Sequence, residues 1–349
     1  MSSKNTHLPF RVIDVGDQDG SDEPFLSVAN ESEERVGRYV TLSYRWGSTI
    51  TARTMTELLD PYMAAIPLSK LPGECSFILF YPYDNITKGG LLLLRGKTDN
   101  LSGTIRDAIH VTRKLGCRYL WVDALCIIQD SDEDWHTQSA SMAEIYSNSF
   151  INISADRAKD SEDGFLGFRN ALSARSCWMR SSQFPSTRNS TDTINDGTWK
   201  AVCPSIPVIE ETLIRGHLSS RGWTYQESML SPRIPHLDTH EVWWECYLCI
   251  SSESQPKPST SVRQAVAHHI EYNSDHLRFR LRQYLQHKIS RGTIQGAFLP
   301  RDVVQWWEVA QEYSKRTLTR TSDKLVALSG IAKRYGQRLL GEAEYIAGM

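Results

Sequence analysis

Three carboxylates occupy positions where an acid could do chemistry. Glu227 closes the segment Gly222-Trp-Thr-Tyr-Gln-Glu, where aromatic neighbours can exclude water and raise a carboxyl pKa toward neutrality, the condition for acid or base work. The structural alternative is a glutamate that opens or caps a helix starting near Thr224. Asp123 is the one acid in the apolar run Arg118 to Ile128, and a buried carboxylate needs a partner, whether a loop amide, an arginine or a substrate. Glu144 ranks third, because it lies beside Ile145 on a helix whose outer face is normally solvated. Near them in type, Tyr44-Arg-Trp-Gly47 follows an apolar strand. A guanidinium there can pair bidentately with phosphate, and an indole can stack on a base; the alternative is a loop arginine with a core tryptophan. Trp223 and Gln226, flanking Glu227, complete the substrate-binding candidates.

Other chemistry is weaker in the sequence. Cys246-x-x-Cys249 with His236 and His240 upstream offers four zinc-ligand types. Yet Val242 to Cys249 alternates as a strand would, which sends cysteines three apart to opposite faces, so no metal is expected. Cys126 with His110 or His136 could form a cysteine hydrolase, but inside an apolar strand its thiol would be inert. Neither Gly-x-Gly-x-x-Gly nor Gly-x-x-x-x-Gly-Lys-Ser/Thr occurs, which disfavours a Rossmann dehydrogenase or P-loop NTPase. No cofactor is expected.

Elements that would position these residues follow from periodicity. Arg38 to Tyr44 is β-branched and aromatic and ends at Arg45-Trp46-Gly47, as a strand running into a loop does. Residues 48 to 100 carry Pro61, Pro67, Pro72, Pro82 and Gly89-Gly90, which predicts an irregular excursion with one short hairpin. Leu101 to Leu115 is amphipathic, with a Thr104/Asp107 capping box and a Gly116 stop. Arg118 to Ile128 predicts a central strand covered on both faces. Ser131 and Asp134 cap a second helix that presents Trp135, Met142, Ile145 and Tyr146 on one face, and Phe150 to Ser154 is the third strand. Alternating strands and helices predict an α/β fold, an open parallel sheet with its crevice at the strands' carboxyl ends. Ser181 to Gly197, within a mobile loop at about 179–198, is polar and turn-rich, and Ser251 to Ser261 is similar. Helical content over 262–287, 302–317 and 322–340 predicts a C-terminal helical layer. The chain thus divides into an extension over 1–37, an α/β core over 38–250 and a helical part over 251–349.

The 349 residues are 40% hydrophobic, enough for a sizeable core. A net charge of −2 with interspersed signs gives no field for nucleic acid or an anionic membrane. The seven cysteines are odd in number and scattered, unlike a disulfide-stapled secreted module. The amino-terminal residues lack an apolar signal segment and Leu91 to Leu94 is too short to span a bilayer. A cytoplasmic protein is the expectation.

Taken together, Tyr39-Val-Thr-Leu-Ser-Tyr-Arg-Trp-Gly47, Thr104-Ile-Arg-Asp-Ala-Ile109, Tyr119-Leu-Trp-Val-Asp-Ala-Leu-Cys-Ile-Ile-Gln-Asp130 and Arg221-Gly-Trp-Thr-Tyr-Gln-Glu227 resemble the heterokaryon-incompatibility (HET) domain family of filamentous fungi. The resemblance runs from about residue 38 to the end, and larger members of the family continue past this point. It implies a part in nonself recognition and the death of fused cells, with an unidentified incompatibility partner. More distantly the chain is similar to Toll/interleukin-receptor (TIR) domains, which implies a TIR-like core, self-association and, in several members, hydrolysis of NAD. That reaction builds positive charge on the ribose, so it needs a carboxylate there, an aromatic wall for the base and a cation for the pyrophosphate. The TIR pattern places its acid shortly after a helical tryptophan. After Trp135 this chain has Gln138 and Ser139, with Glu144 two turns on. The resemblance therefore implies either an NAD glycohydrolase, with Glu227 at the ribose and Arg45 at the pyrophosphate, or a non-enzymatic adaptor that signals by homotypic association.

Overall fold

The computed structural model describes residues 5–30, 34–47, 52–66, 103–167, 216–247, 249–253 and 306–337, and the backbone of 78–81, 90–93, 177–180, 199–202, 299–305 and 338–339. Its strands are β1 (Thr6–His7), β2 (Arg11–Asp14), β3 (Phe25–Val28), β4 (Val36–Gly37), β5 (Tyr39–Ser43), β6 (Ile78–Tyr81), β7 (Gly90–Leu93), β8 (Tyr119–Trp121), β9 (Ile151–Ser154), β10 (Cys177–Arg180), β11 (Trp199–Val202), β12 (Arg233–Leu237), β13 (Val242–Cys246) and β14 (Ile250–Ser252). Helices are α1 (Leu59–Ala64), α2 (Thr104–Lys114), α3 (Asp123–Cys126), α4 (Asp132–Asn148), α5 (Gly222–Leu230), α6 (Leu299–Ser314) and α7 (Val326–Leu339).

Eight strands form one sheet in the order β14-β13-β12-β9-β5-β8-β2-β3. The four central ones, β12, β9, β5 and β8, are parallel to one another, and both flanks are antiparallel. The fold is α/β. Residues 11–28, in the extension expected before the core, supply the β2–β3 edge. β6 pairs with β7 in the hairpin expected between residues 48 and 100, and β10 pairs with β11. Beyond Arg180 the loop expected near 179–198 lies outside the described residues, as does the helix expected over 262–287.

Chain order across the parallel strands reverses between β5 and β9: β8 follows β5 on one side, and β9 and β12 follow on the other. A reversal of this kind opens a crevice at the strands' carboxyl ends, here beside the Ser43–Ser154 pair. The sheet is buried over these strands, with Val40, Leu42, Leu120, Trp121, Ile151 and Ile153 at most 1% exposed. A second apolar cluster joins α5 (Tyr225, Met229, Leu230), α6 (Val309, Tyr313) and α7 (Ala327, Leu328, Ile331, Tyr335). This is the expected C-terminal helical layer.

Two local expectations are corrected. The run 118–128 is not one strand. It ends as a strand at Trp121, and Asp123 starts the short helix α3 by accepting a hydrogen bond from the Ala124 N–H on Oδ1 at 2.7 Å. An aspartate that satisfies a helix-start amide competes with the sheet ladder, so Asp123 sits at the carboxyl end of β8 and not within it. Nor do Thr104 and Asp107 form a capping box. The Thr104 hydroxyl donates to the Asp160 carbonyl at 2.8 Å, and Asp107 Oδ2 accepts from the Phe165 and Leu166 N–H groups, each at 2.7 Å. By contrast Ser131 caps α4 by accepting from the Asp134 N–H.

Asp107 is 3% exposed, so its removal strands two buried amides. Asp107→Ala should cost about 2–4 kcal/mol, read as a lower urea midpoint with an unchanged slope. Asp107→Asn, which keeps one oxygen acceptor, should lose less; equal losses would mean the two amides find other partners.

Candidate functional site

At the carboxyl end of β5, Ser43 is 4% exposed and its Oγ donates to Glu227 Oε2 at 2.5 Å, while Asn152 Nδ2 on β9 donates to Ser43 Oγ at 3.0 Å. Thr41 Oγ1 donates to Asn152 Oδ1 at 3.0 Å. A ladder of buried hydroxyl and amide groups thus crosses the strand reversal and ends on the Glu227 carboxyl. Glu227 itself comes from the middle of α5, neither opening nor capping it. Burial, with the nearby Asp123 charge, pushes its pKa up to about 7 against the pull of Ser43, Arg221 and Tyr146. A 4% exposed carboxyl is therefore divided between its two protonation states near neutral pH.

Asp123 faces the same space. Trp46 Nε1 donates to both of its oxygens, at 3.1 and 3.0 Å. Burial raises its pKa, opposed first by Arg221 and then by these hydrogen bonds. Arg221, at the residue before α5, donates from Nη1 to the Tyr44 carbonyl at 2.7 Å, and its guanidinium carbon lies 6.0 Å from the centre of the Trp46 ring. Tyr44 is 3% exposed and its hydroxyl is buried with no hydrogen-bond partner among the described residues. Burial and the charges of Asp123 and Glu227 hold that hydroxyl well above the usual phenol range.

The structure thus brings together Glu227, Asp123, Tyr44 and Trp46 of the residues singled out from sequence. Arg45 follows them on the exposed side of the loop. Gly47 has φ +80°, and a Cβ there would lie 2.4 Å from Asp160 Cβ. Its place in the loop is fixed by that close approach.

Three others sit elsewhere. Glu144 is exposed on α4 and lines an open groove of about 600 Å³ with His7, Phe10 and Tyr39, at the amino end of β5. Gln226 turns toward the helical layer, where its Oε1 accepts from the Gly330 N–H at 3.0 Å. Trp223 packs edge-on against Trp135, ring centres 6.3 Å apart, and its Nε1 donates to Asp323 Oδ2 at 3.4 Å.

Sequence reasoning missed Ser43, Tyr146, Asn152 and Arg221. The signal available was polar: Thr41 and Ser43 on β5 and Asn152 and Ser154 on β9 alternate with apolar residues in strands that are buried throughout, and buried polar groups of this kind are hydrogen-bonded. His236, singled out from sequence only as a zinc-ligand type, instead lies between two buried carboxylates. Nδ1 is 2.9 Å from Asp156 Oδ2 and Nε2 is 3.0 Å from Glu245 Oε2. His236 on β12 is thereby committed to Glu245 on β13 and to Asp156, two residues beyond β9. Cys126 is fully buried and burial pushes its thiol up to about 12, consistent with an inert core residue. Among the described residues no group of three or more histidine, cysteine or acidic side chains could hold a metal ion.

The family model of the heterokaryon incompatibility protein (HET) matches residues 39–227, more than half of the chain. This chain is a member of the HET family. The matched span opens on β5 and closes on Glu227, so every residue of the β5–β9 cluster lies within it. His236, Cys246 and Cys249 lie beyond it. No curated protein and no solved structure matches the chain. Among the described residues, no helix of this HET protein is long and apolar enough to cross a membrane.

Proposed function

We propose that this HET protein is a cell-death effector of heterokaryon incompatibility that hydrolyses NAD to nicotinamide and ADP-ribose. The observation that carries the reading is Glu227, a buried carboxyl at the strand reversal with its pKa near 7. A general base works best when its pKa lies near the working pH. Nicotinamide departs as a neutral base from its cationic form, so the leaving group needs no acid. What the reaction needs is negative charge beside the ribose and a base for the attacking water. Glu227 supplies the base, and Asp123 the charge, held in orientation by the Trp46 N–H. Ser43 fixes the Glu227 carboxyl. The unpartnered Tyr44 hydroxyl is a donor for a ribose hydroxyl, and Arg45, exposed at the loop, is the cation for the pyrophosphate. The site's residues fit the substrate's parts in type.

The test is to incubate purified protein with NAD over a range of protein concentrations and measure released nicotinamide by chromatography. Nicotinamide in proportion to protein supports the reading, and none at any concentration, crowding included, overturns it.

A second reading, an adaptor that acts by self-association, is favoured by apolar exposure on the helical layer. Trp307 on α6 is 69% exposed and Leu325, just before α7, is 49% exposed. Contiguous exposed apolar patches mark contact surfaces, and under this reading these two side chains belong to one. Under this reading Trp307→Glu with Leu325→Glu should leave a folded monomer where the parent chain assembles, as measured by sedimentation. An unchanged sedimentation profile would remove these residues from any self-association face.

A further inference from the structure

The Cys246-x-x-Cys249 segment was expected to run as one strand with its thiols on opposite faces. Instead β13 ends at Cys246 and the chain turns before β14. The Cys246 N–H donates to the Cys249 carbonyl at 3.0 Å, and the two sulfurs lie 3.6 Å apart. A turn between the two residues cancels the alternation that a continuous strand would impose. Residues facing one another across such a hydrogen-bonded antiparallel pair have Cα atoms about 5.5 Å apart, within the ~4.4–6.8 Å that a disulfide spans. Closing the sulfurs from 3.6 Å to the ~2.05 Å of a disulfide takes side-chain rotation together with a small shift of the turn.

We propose that Cys246 and Cys249 form a redox-active dithiol that closes to a disulfide, and that the closed form alters the end of the helix carrying Glu227. The two cysteines are unequal. Cys249 is 9% exposed, whereas Cys246 is partly open to solvent. The contact with Cys246 and burial both push the Cys249 thiol up, and Cys246 is the sulfur that solvent and an oxidant reach. That makes Cys246 the attacking thiolate and Cys249 the resolving one. With a small-molecule disulfide as oxidant, the Cys246 thiolate attacks one sulfur, forms a mixed disulfide and releases one thiolate. Cys249, losing its proton to solvent, then attacks Cys246 Sγ and expels the second. The dithiol gives up two electrons and the oxidant leaves as two thiols.

The turn is wired to the Glu227 cluster. Tyr247, between the cysteines, donates from its hydroxyl to the Leu230 carbonyl at 3.3 Å, at the last residue of α5. Glu245, on the other side of Cys246, holds His236. Drawing the two sulfurs together moves the backbone that carries Tyr247. The last turn of α5, three residues beyond Glu227, loses or gains that contact accordingly.

The experiment uses the full chain equilibrated in oxidised glutathione and, separately, in dithiothreitol, followed by alkylation, peptide mapping and amide hydrogen exchange. The expected result is a Cys246–Cys249 disulfide in the first sample, with at least a threefold change in exchange rate at residues 228–231 between the two. Cys249→Ser should stop at a glutathione adduct on Cys246. Both thiols alkylating fully after oxidation, or an adduct on neither residue in Cys249→Ser, would overturn the dithiol. A disulfide that leaves exchange at 228–231 unchanged would overturn the coupling. None of these readouts uses NAD, so they stand or fall apart from the hydrolase reading.

Discussion

Glu227→Gln should abolish NAD cleavage by a factor of about 10² to 10⁴, the usual contribution of a positioned acid or base, and it should do so while stabilising the fold above neutral pH. Both halves follow from one fact. The folded protein holds the carboxyl pKa at about 7 against an ordinary value of 4.5. Its stability contribution is fully present below about 4.5, where folded and unfolded chains are both protonated. It is lost as pH rises through 7, because the unfolded chain has already ionised and the folded one must follow in a buried place. The gap converts to roughly 3 kcal/mol as a ceiling. Gln keeps an oxygen for the Ser43 hydroxyl and removes the charge. Its thermal midpoint should therefore match the parent at pH 4 and exceed it at pH 8. On the proposed hydrolase reading activity runs the other way, with the carboxylate form as the base, and the parent's rate should climb through pH 7 to a plateau. A variant that loses activity without the pH-dependent stability difference would mean that Glu227 is not ionising in place.

His236→Ala should be among the most damaging single changes in the chain. His236 is 2% exposed, and Asp156 and Glu245 flank it at 7% and 1% exposure. Burial alone would lower its pKa, but the two carboxylates outweigh it and the net shift is upward. Removing the imidazole leaves two acids facing each other without a cation. Breaking a buried charge arrangement of this kind costs about 3–5 kcal/mol, on the order of 10 °C in Tm for a domain of this size. Because the folded pKa is raised, the histidine's contribution is fully present below the unfolded value of 6.5. It declines as pH rises through the folded one. The difference in Tm between parent and His236→Gln should therefore be largest near pH 6 and smaller at pH 9. A difference that is flat with pH would show that His236 is held by its hydrogen bonds alone.

Much of the scaffold was legible without a structure because it is encoded locally. β5 and β9 follow from runs of β-branched and aromatic residues, and α2 and α4 from a 3.6-residue apolar period. Gly116 stops α2 with φ +67°, and Ser131 starts α4, each through contacts within a few residues. The residue types of the site were legible too. An acid among aromatics, an acid in an apolar run and an arginine–tryptophan pair after a strand are unusual enough to be noticed in isolation. Local rules failed where a side chain had another use. Asp123 left the strand because its oxygen accepts from the Ala124 N–H at the start of α3, and Asp107 left its own helix start for the amides of Phe165 and Leu166.

What the tertiary structure alone decided is convergence. Ser43 and Glu227 are 184 residues apart, and only the order of strands across the sheet brings them within a hydrogen bond. The same order seats Asn152 beside Ser43, and Asp156 and Glu245 around His236, contacts for which no spacing rule exists. The turn after Cys246 placed two thiols side by side where alternation put them apart. Burial, finally, is a property of the assembled layers. The sequence by itself named a carboxylate that could be tuned, and the packing of α5 over β5 set its pKa near 7, because desolvation depends on what surrounds a group from every direction and not on its neighbours along the chain.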